Sequence, residues 1–211
     1  MFKNLSISEF TDKLSDAKTC VGGGSAAAVT GLLAVGLLKM AAAHSLQSDS
    51  FSNSKQLLAA KNNRLLYLEA ELANLLNADA AALAKLIACA ALEAKDESGV
   101  SGEMAQSLEN AARIPLQTAA YCQEVLAIAL SLLPLVEPNL KSELMSAIVN
   151  AHAGAAGALM SVAVNLGYIE DKELIAELKT ALQNTKSAID GLKRQGEDLI
   201  FASYPFSVFV S

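Results

Sequence analysis

Tryptophan is absent from this chain of 211 residues, and aromatic residues make up only 5% of it. The hydrophobic fraction of 53% therefore comes from Ala and Leu rather than from aromatic or β-branched residues, which speaks against a sheet core and for closely packed helices. No basic cluster occurs, and the net charge is -6. A nucleic-acid backbone is excluded as the expected partner, because such proteins gather Lys and Arg on one face. Cysteine is scarce: Cys20, Cys89 and Cys122 are odd in number, widely spaced and set in apolar or helical context, so neither a disulfide framework nor a Cys-based zinc site is implied. Only two histidines are present, far apart and outside any H-E-x-x-H pattern, which leaves a metal site without support. The first residues, Met1-Phe2-Lys3-Asn4-Leu5-Ser6, lack the hydrophobic core of a signal peptide. A reducing cytoplasm is the expected compartment.

What the chain does contain is a triple glycine, Gly22-Gly23-Gly24, followed by Ser25-Ala26-Ala27-Ala28. Consecutive glycines lose much backbone entropy on folding, so they mark a place where positive φ or close access to bare backbone is needed. A helix starting there aims its unpaired N–H groups and its positive dipole end at the same point, as an anion-binding or close-packing site would require. The phosphate-loop templates do not fit, since Gly-Lys-Ser/Thr and a preceding strand are both lacking. The uncharged run over 21–38 is long enough to suggest a membrane span. Its opening glycines, its alanine content and its continuation through Lys39 to His44 without an aromatic belt argue instead for a buried central helix.

The pattern predicts an all-α fold: one domain over 1–211, an orthogonal or up-down bundle of about six to eight helices around that Ala/Gly-rich helix. Ser6 or Ser8 caps a short helix over 9–14, with Ser6 and Glu9 at capping-box spacing. The central helix spans 25–44, and 45–54 reads as a loop or helix start. A long helix over 55–95 has Leu65, Leu72 and Leu86 on one heptad position and Leu68 and Leu75 on its partner. After a polar break at 96–102 a helix begins near Glu103, with Pro115 either starting a new helix or kinking this one. A Gly-rich helix follows over 140–166, then one over 171–191. The apolar tail over 199–210 reads as extended, docked on the body or on a second subunit.

Two side chains are candidates for proton transfer. Asp79 falls in the Leu seam, where an ionised carboxylate loses hydration unless it is paired, so it reads as a general acid or base in a cleft. The alternative is a seam that shifts near 77–79 and turns Asp79 to solvent or into a helix cap. His152, among Ala151, Ala153 and Gly154, reads first as a satisfied core or interface histidine and second, from its titration range, as a proton carrier. His44 reads as a complement to its helix dipole. Lys39, Arg64 and Arg113 are either solvated or partners for a carboxylate or anionic ligand.

Taken with a preceding helix of the form Leu5-x-x-x-Glu9-Phe10-x-x-x-Leu14 and a following Gly31-Leu32 and Met40, the Gly22-Gly23-Gly24-Ser25-Ala26-Ala27-Ala28 element resembles the cyclodeaminase/cyclohydrolase family. Leu76-Asn77-Ala78-Asp79-Ala80, Ala112-Arg113-Ile114-Pro115-Leu116 and Asn165-Leu166 extend the resemblance along most of the chain. It implies an all-helical cytoplasmic homodimer acting on a folate one-carbon adduct, with a tetrahydrofolate derivative as substrate and no metal. Formimino-tetrahydrofolate would be closed to methenyl-tetrahydrofolate with release of ammonia, or methenyl-tetrahydrofolate hydrolysed to the formyl form. Asp79 and then His152 are the proton-transfer candidates, and Gly22, Gly23, Gly24, Ser25, Asn77 and Glu143 are expected at the substrate. The chain departs from the family pattern at Lys18-Thr19-Cys20-Val21, where the family approaches the glycines through prolines. It also has Asn77 in place of the first aspartate of a pair and Glu143 in place of an aspartate. These departures keep a second expectation open, a non-catalytic homodimer that retains the fold and a folate pocket.

Overall fold

The computed structural model describes residues 2–93 and 102–201. Among these residues there are six α-helices and no strand: α1 (Ile7–Ser15), α2 (Gly23–Gln47), α3 (Lys55–Glu93), α4 (Gly102–Leu132), α5 (Lys141–Asn165) and α6 (Lys172–Phe201). Helix α1 begins on the expected capping box. The Ser6 side chain accepts from the Glu9 backbone N–H, and the Glu9 carboxylate accepts from the Ser6 backbone N–H at 2.7 Å. The two contacts satisfy donors that a helix start leaves open. Phe10 is the buried residue of this helix and packs with Val21, Ala28 and Leu76.

Helix α2 runs through the middle, flanked by α3, α4 and α5. Its buried residues are small, Gly24, Ser25, Ala27, Ala28, Gly31 and Ala34 among them, before Val35 and Leu38. Small residues let neighbouring backbones come close. At Gly154 of α5 an added Cβ would lie 2.9 Å from the Ala27 carbonyl oxygen and 3.1 Å from the Gly31 nitrogen, so α2 and α5 meet backbone to backbone there. The helix starts at Gly23, two residues before the expected Ser25, with Gly22 as its N-cap in extended conformation (φ -134°). The triple glycine is thus a helix start rather than a left-handed turn.

In α3, Leu65, Leu68, Leu72 and Leu76 are buried, and then Ala80. A straight α-helix drifts by about 20° per heptad against a 3.5-residue repeat. The buried line accordingly passes from Leu72 to Leu76 and Ala80 instead of through Leu75 and Asp79. The seam does shift near residue 79.

Pro115 sits inside α4 and is buried there, so the helix continues across it. Helix α6 passes Gly191 and reaches Phe201, ten residues beyond the expected end, because Leu178, Leu182, Ile189 and Leu192 keep one apolar face against α4 and α5. Gly196 packs closely there as well, with Ile148 Cδ1 2.8 Å from where a Cβ would stand, so a larger residue would need that side chain to shift. The expected extended tail therefore begins inside a helix, at 199–201, and its remainder at 202–211 lies outside the described residues, as does most of the expected break over 96–102.

Four helical stretches, Gly23–Gln47 among them, are long and apolar enough to cross a membrane by length and composition. These helices also carry charge pairs: Lys39 pairs with Glu69 at 2.6 Å, Arg64 with Glu124 at 2.5 Å, and Arg113 with Glu109 at 2.6 Å and Glu177 at 2.8 Å, all partly exposed. Each of these pairs would be costly in hydrocarbon.

Candidate active site at the start of helix α2

A helix start has N–H groups without intrahelical partners, and a Gly N-cap offers no side chain to meet them. In α2 an acceptor from another helix stands at the helix start. The Asp79 carboxylate of α3 accepts from the Ser25 hydroxyl at 2.7 Å, and the Ser25 backbone N–H nearby also favours its charged form. Ser25 is fully buried. The carboxylate comes this close because Gly24 has no side chain. A Cβ at Gly24 would stand 2.6 Å from Asp79 Cγ. Of the uses expected for the glycines, close approach is the one seen, and the anion at the positive helix end is the protein's own.

Asp79 also lines a cavity of about 360 Å3, together with Gly22, Gly23, Gly24, Ala82, Leu83 and Leu86 on one side. The opposite wall is Gly157, Met160, Ser161, Val164 and Asn165 of α5, with Ala111 of α4. This is a largely apolar chamber with one acid in it, the surroundings in which a flat heterocycle loses water and a carboxyl group is driven toward its neutral form. Burial raises the Asp79 pKa above the ordinary aspartate value, and the Ser25 hydroxyl and nearby backbone N–H oppose the rise only in part. Asp79 thus stands at the start of α2, bonded to the Ser25 hydroxyl, and is a carboxyl group of raised proton affinity facing a cavity.

The remaining expected residues lie elsewhere. His152 lines a separate cavity with Asp190, Lys193, Arg194 and Glu197, and its Nε2 is 2.9 Å from Asp190 Oδ1. Lys186 reaches the other oxygen of Asp190 at 2.6 Å, and His152 and Lys186 together hold that carboxyl down at about 2. Asn77 fastens the chain start, accepting from the Phe2 backbone N–H at 2.9 Å and donating to the Ala73 carbonyl at 2.8 Å. Glu143 stands in the first turn of α5, bonded to Ser142. It is about 20 Å along the helix axis from Gly157, at 1.5 Å per residue. None of the three lines the Asp79 cavity. Lys39, Arg64 and Arg113 are all engaged with carboxylates of neighbouring helices or of their own. Sequence reasoning missed Ser161 as a wall residue and found Asn165 only as part of a motif. Their signal was there in the spacing, since 157, 161 and 165 fall on one face of a helix.

A family model described as formiminotransferase-cyclodeaminase matches residues 6–184, a span that contains every residue of the cavity. The chain belongs to the formiminotransferase-cyclodeaminase family. The crystal structure of formiminotetrahydrofolate cyclodeaminase from Thermotoga maritima has the same fold, with a TM-score of 0.87 over 96% of this chain and 99% of that one, at 21% identity. No curated protein sequence matches the chain. Asn77, where the resemblance leads one to expect an aspartate, does not line the cavity, because its side chain is bonded to Phe2 and Ala73. Glu143 is likewise remote from the cavity. Asp79 is the acid at the cavity.

Proposed function

We propose that the protein is a folate one-carbon enzyme that closes formimino-tetrahydrofolate to methenyl-tetrahydrofolate and releases ammonia, with the chemistry at the α2 cavity. The supporting observation is the Asp79 carboxyl group, raised in proton affinity and seated on bare backbone at the edge of an apolar chamber. In cyclodeamination the substrate's N10 attacks the formimino carbon, its proton is lost, and the former imino nitrogen must be protonated to leave as ammonia. One carboxyl group whose proton affinity burial raises can serve both ends of that exchange: its carboxylate form takes the N10 proton and its acid form protonates the departing nitrogen. Ser25 fixes the carboxyl in place, and Gly22 and Gly23 leave room beside it, since a Cβ at either would meet only ordinary contacts. The lining contains no cationic side chain among the described residues, so the substrate's glutamate carboxylates are assigned to the open side of the chamber.

The same proposal carries a homodimer. Exposed Met160 and Val164 at the cavity rim, with Leu33 and Met40 on α2, are the kind of apolar surface that a second subunit covers. It also places the protein in the reducing cytoplasm, where Cys20, Cys89 and Cys122 stay as free thiols. Incubating the purified protein with formimino-tetrahydrofolate and following methenyl absorbance tests the reaction. A rise with ammonia release supports cyclodeamination. A loss of absorbance with methenyl-tetrahydrofolate alone transfers the assignment to hydrolysis, and no change with either substrate overturns catalysis in favour of a folate-binding, non-catalytic dimer.

A further inference from the structure

Pro115 creates a defect that the structure repairs from across the cavity. In an α-helix the carbonyl of residue 111 accepts from the N–H of residue 115, and proline has no N–H. The Ala111 carbonyl is therefore left without its helical donor. Asn165 Nδ2, from the last residue of α5, donates to it at 2.6 Å. Ala111 and Asn165 both line the Asp79 cavity.

This bond fixes more than the helix. A carbonyl accepts only from the amide nitrogen, so Asn165 cannot flip, and its Oδ1 is held as an acceptor with no partner among the described residues. Oδ1 is not a buried unpaired atom either. A lone acceptor of fixed orientation on a chamber wall suits a ligand with an N–H edge. We propose that Asn165 is a substrate-binding residue that orients the reduced pteridine ring, its Oδ1 accepting from a ring or amino N–H while its Nδ2 is committed to Ala111. The proposal rests on the folate reading of the cavity and assigns which end of the folate lies at the α5 wall: the pteridine, not the aminobenzoyl-glutamate.

Pro115 supplies the control that separates binding from support. Pro115→Ala restores the N–H at 115, so the Ala111 carbonyl regains its helical donor and no longer needs Asn165. Asn165→Ala, Pro115→Ala and the double variant are compared by thermal unfolding and by titration with tetrahydrofolate and with p-aminobenzoyl-glutamate. Asn165→Ala alone is expected to lower Tm by about 3–8 °C, from the unpaired carbonyl. The double variant is expected to recover most of that loss and still bind tetrahydrofolate about 5- to 10-fold more weakly than Pro115→Ala, one lost hydrogen bond. Affinity for p-aminobenzoyl-glutamate is expected to stay the same in both. Recovery of tetrahydrofolate affinity together with stability would reduce Asn165 to a helix clamp and overturn the proposal. Equal weakening toward both ligands would overturn the pteridine assignment. Failure of the unaltered protein to bind tetrahydrofolate at all would remove the folate reading itself, and this inference with it.

Discussion

Gly24→Ala sets two effects of opposite sign against each other. An alanine inside a helix is ordinarily favoured over glycine by about 0.5–1 kcal/mol. At position 24 the new Cβ would fall 2.6 Å from Asp79 Cγ. Ordinary contact needs more than 3.4 Å, so the carboxyl must retreat by about 1 Å or more. Retreat breaks the hydrogen bond from the Ser25 hydroxyl, worth about 1.5–3 kcal/mol with a charged acceptor and less where solvent compensates the partly exposed carboxyl, and draws the carboxyl away from the Ser25 backbone N–H. The net expectation is a loss of about 1–3 kcal/mol, or a Tm lower by about 3–10 °C for a chain of this length. Gly191→Ala in α6 is the matched control, because nothing lies within 4 Å of its added Cβ. It is expected to raise Tm by about 1–4 °C. Thermal unfolding of both variants, paired with the methenyl absorbance assay, reads the two effects, and only Gly24→Ala is expected to lose activity. Equal stabilisation of both variants with full activity in both would refute the claim that Asp79 is seated against the α2 backbone.

Because burial raises the Asp79 pKa, the folded protein holds that proton more tightly than the unfolded chain. The stability this contributes is complete below the unfolded carboxyl range of about pH 4 and is lost as pH rises through the raised folded value. Asp79→Asn does not titrate, so it is expected to gain stability relative to the parent from about pH 4 upward while losing about 100-fold or more in kcat; parallel pH–stability profiles would contradict the raised pKa. His152→Ala is expected to leave kcat unchanged and to cost at most about 1 kcal/mol, as a partly exposed pair does, and a large loss of kcat would bring His152 back as a proton carrier. At Gly154 the obstacle is backbone that cannot swing away, so Gly154→Ala is expected to destabilise by about 1–3 kcal/mol or more, measurable by urea unfolding. Complete burial pushes the Cys122 thiol up to about 12, whereas Cys20 is partly exposed. A thiol reagent is expected to label Cys20 in the native protein and Cys122 only after unfolding, with peptide mapping to distinguish them.

Periodicity and caps made the helices legible because both are local. Ser6 and Glu9 announce α1 three residues apart, and the leucines of α3 announce a face of one long helix. The boundary at Gly23 was harder, since glycine looks like a turn until something is seen to stand where its side chain would be. Asp79 was legible as an anomaly but not in its role. The acceptor at the start of α2 comes from a residue 54 positions away from Ser25, and only the meeting of α2 and α3 reveals that the seam's drift and that contact are one event. The partner of His152 was hidden for the same reason: its small apolar neighbours in sequence are on its own helix, while Asp190 comes from α6. Asn165 and Pro115 were both visible as motif pieces. Their connection through the Ala111 carbonyl requires α4 and α5 to be side by side.

The central claim is that the chamber beside Asp79 is where the folate's one-carbon unit reacts. A crystal structure of the protein with a formimino- or formyl-tetrahydrofolate bound measures it most directly. The expected result has the pteridine between α3 and α5, the one-carbon unit within hydrogen-bond reach of the Asp79 carboxyl, and the glutamate at the open side. A folate bound instead at the His152–Asp190 cavity, or in the groove that Phe10, Leu14, Val29 and Leu33 line between α1 and α2, with Asp79 unaltered on Ser25 and no ligand near it, would contradict the account.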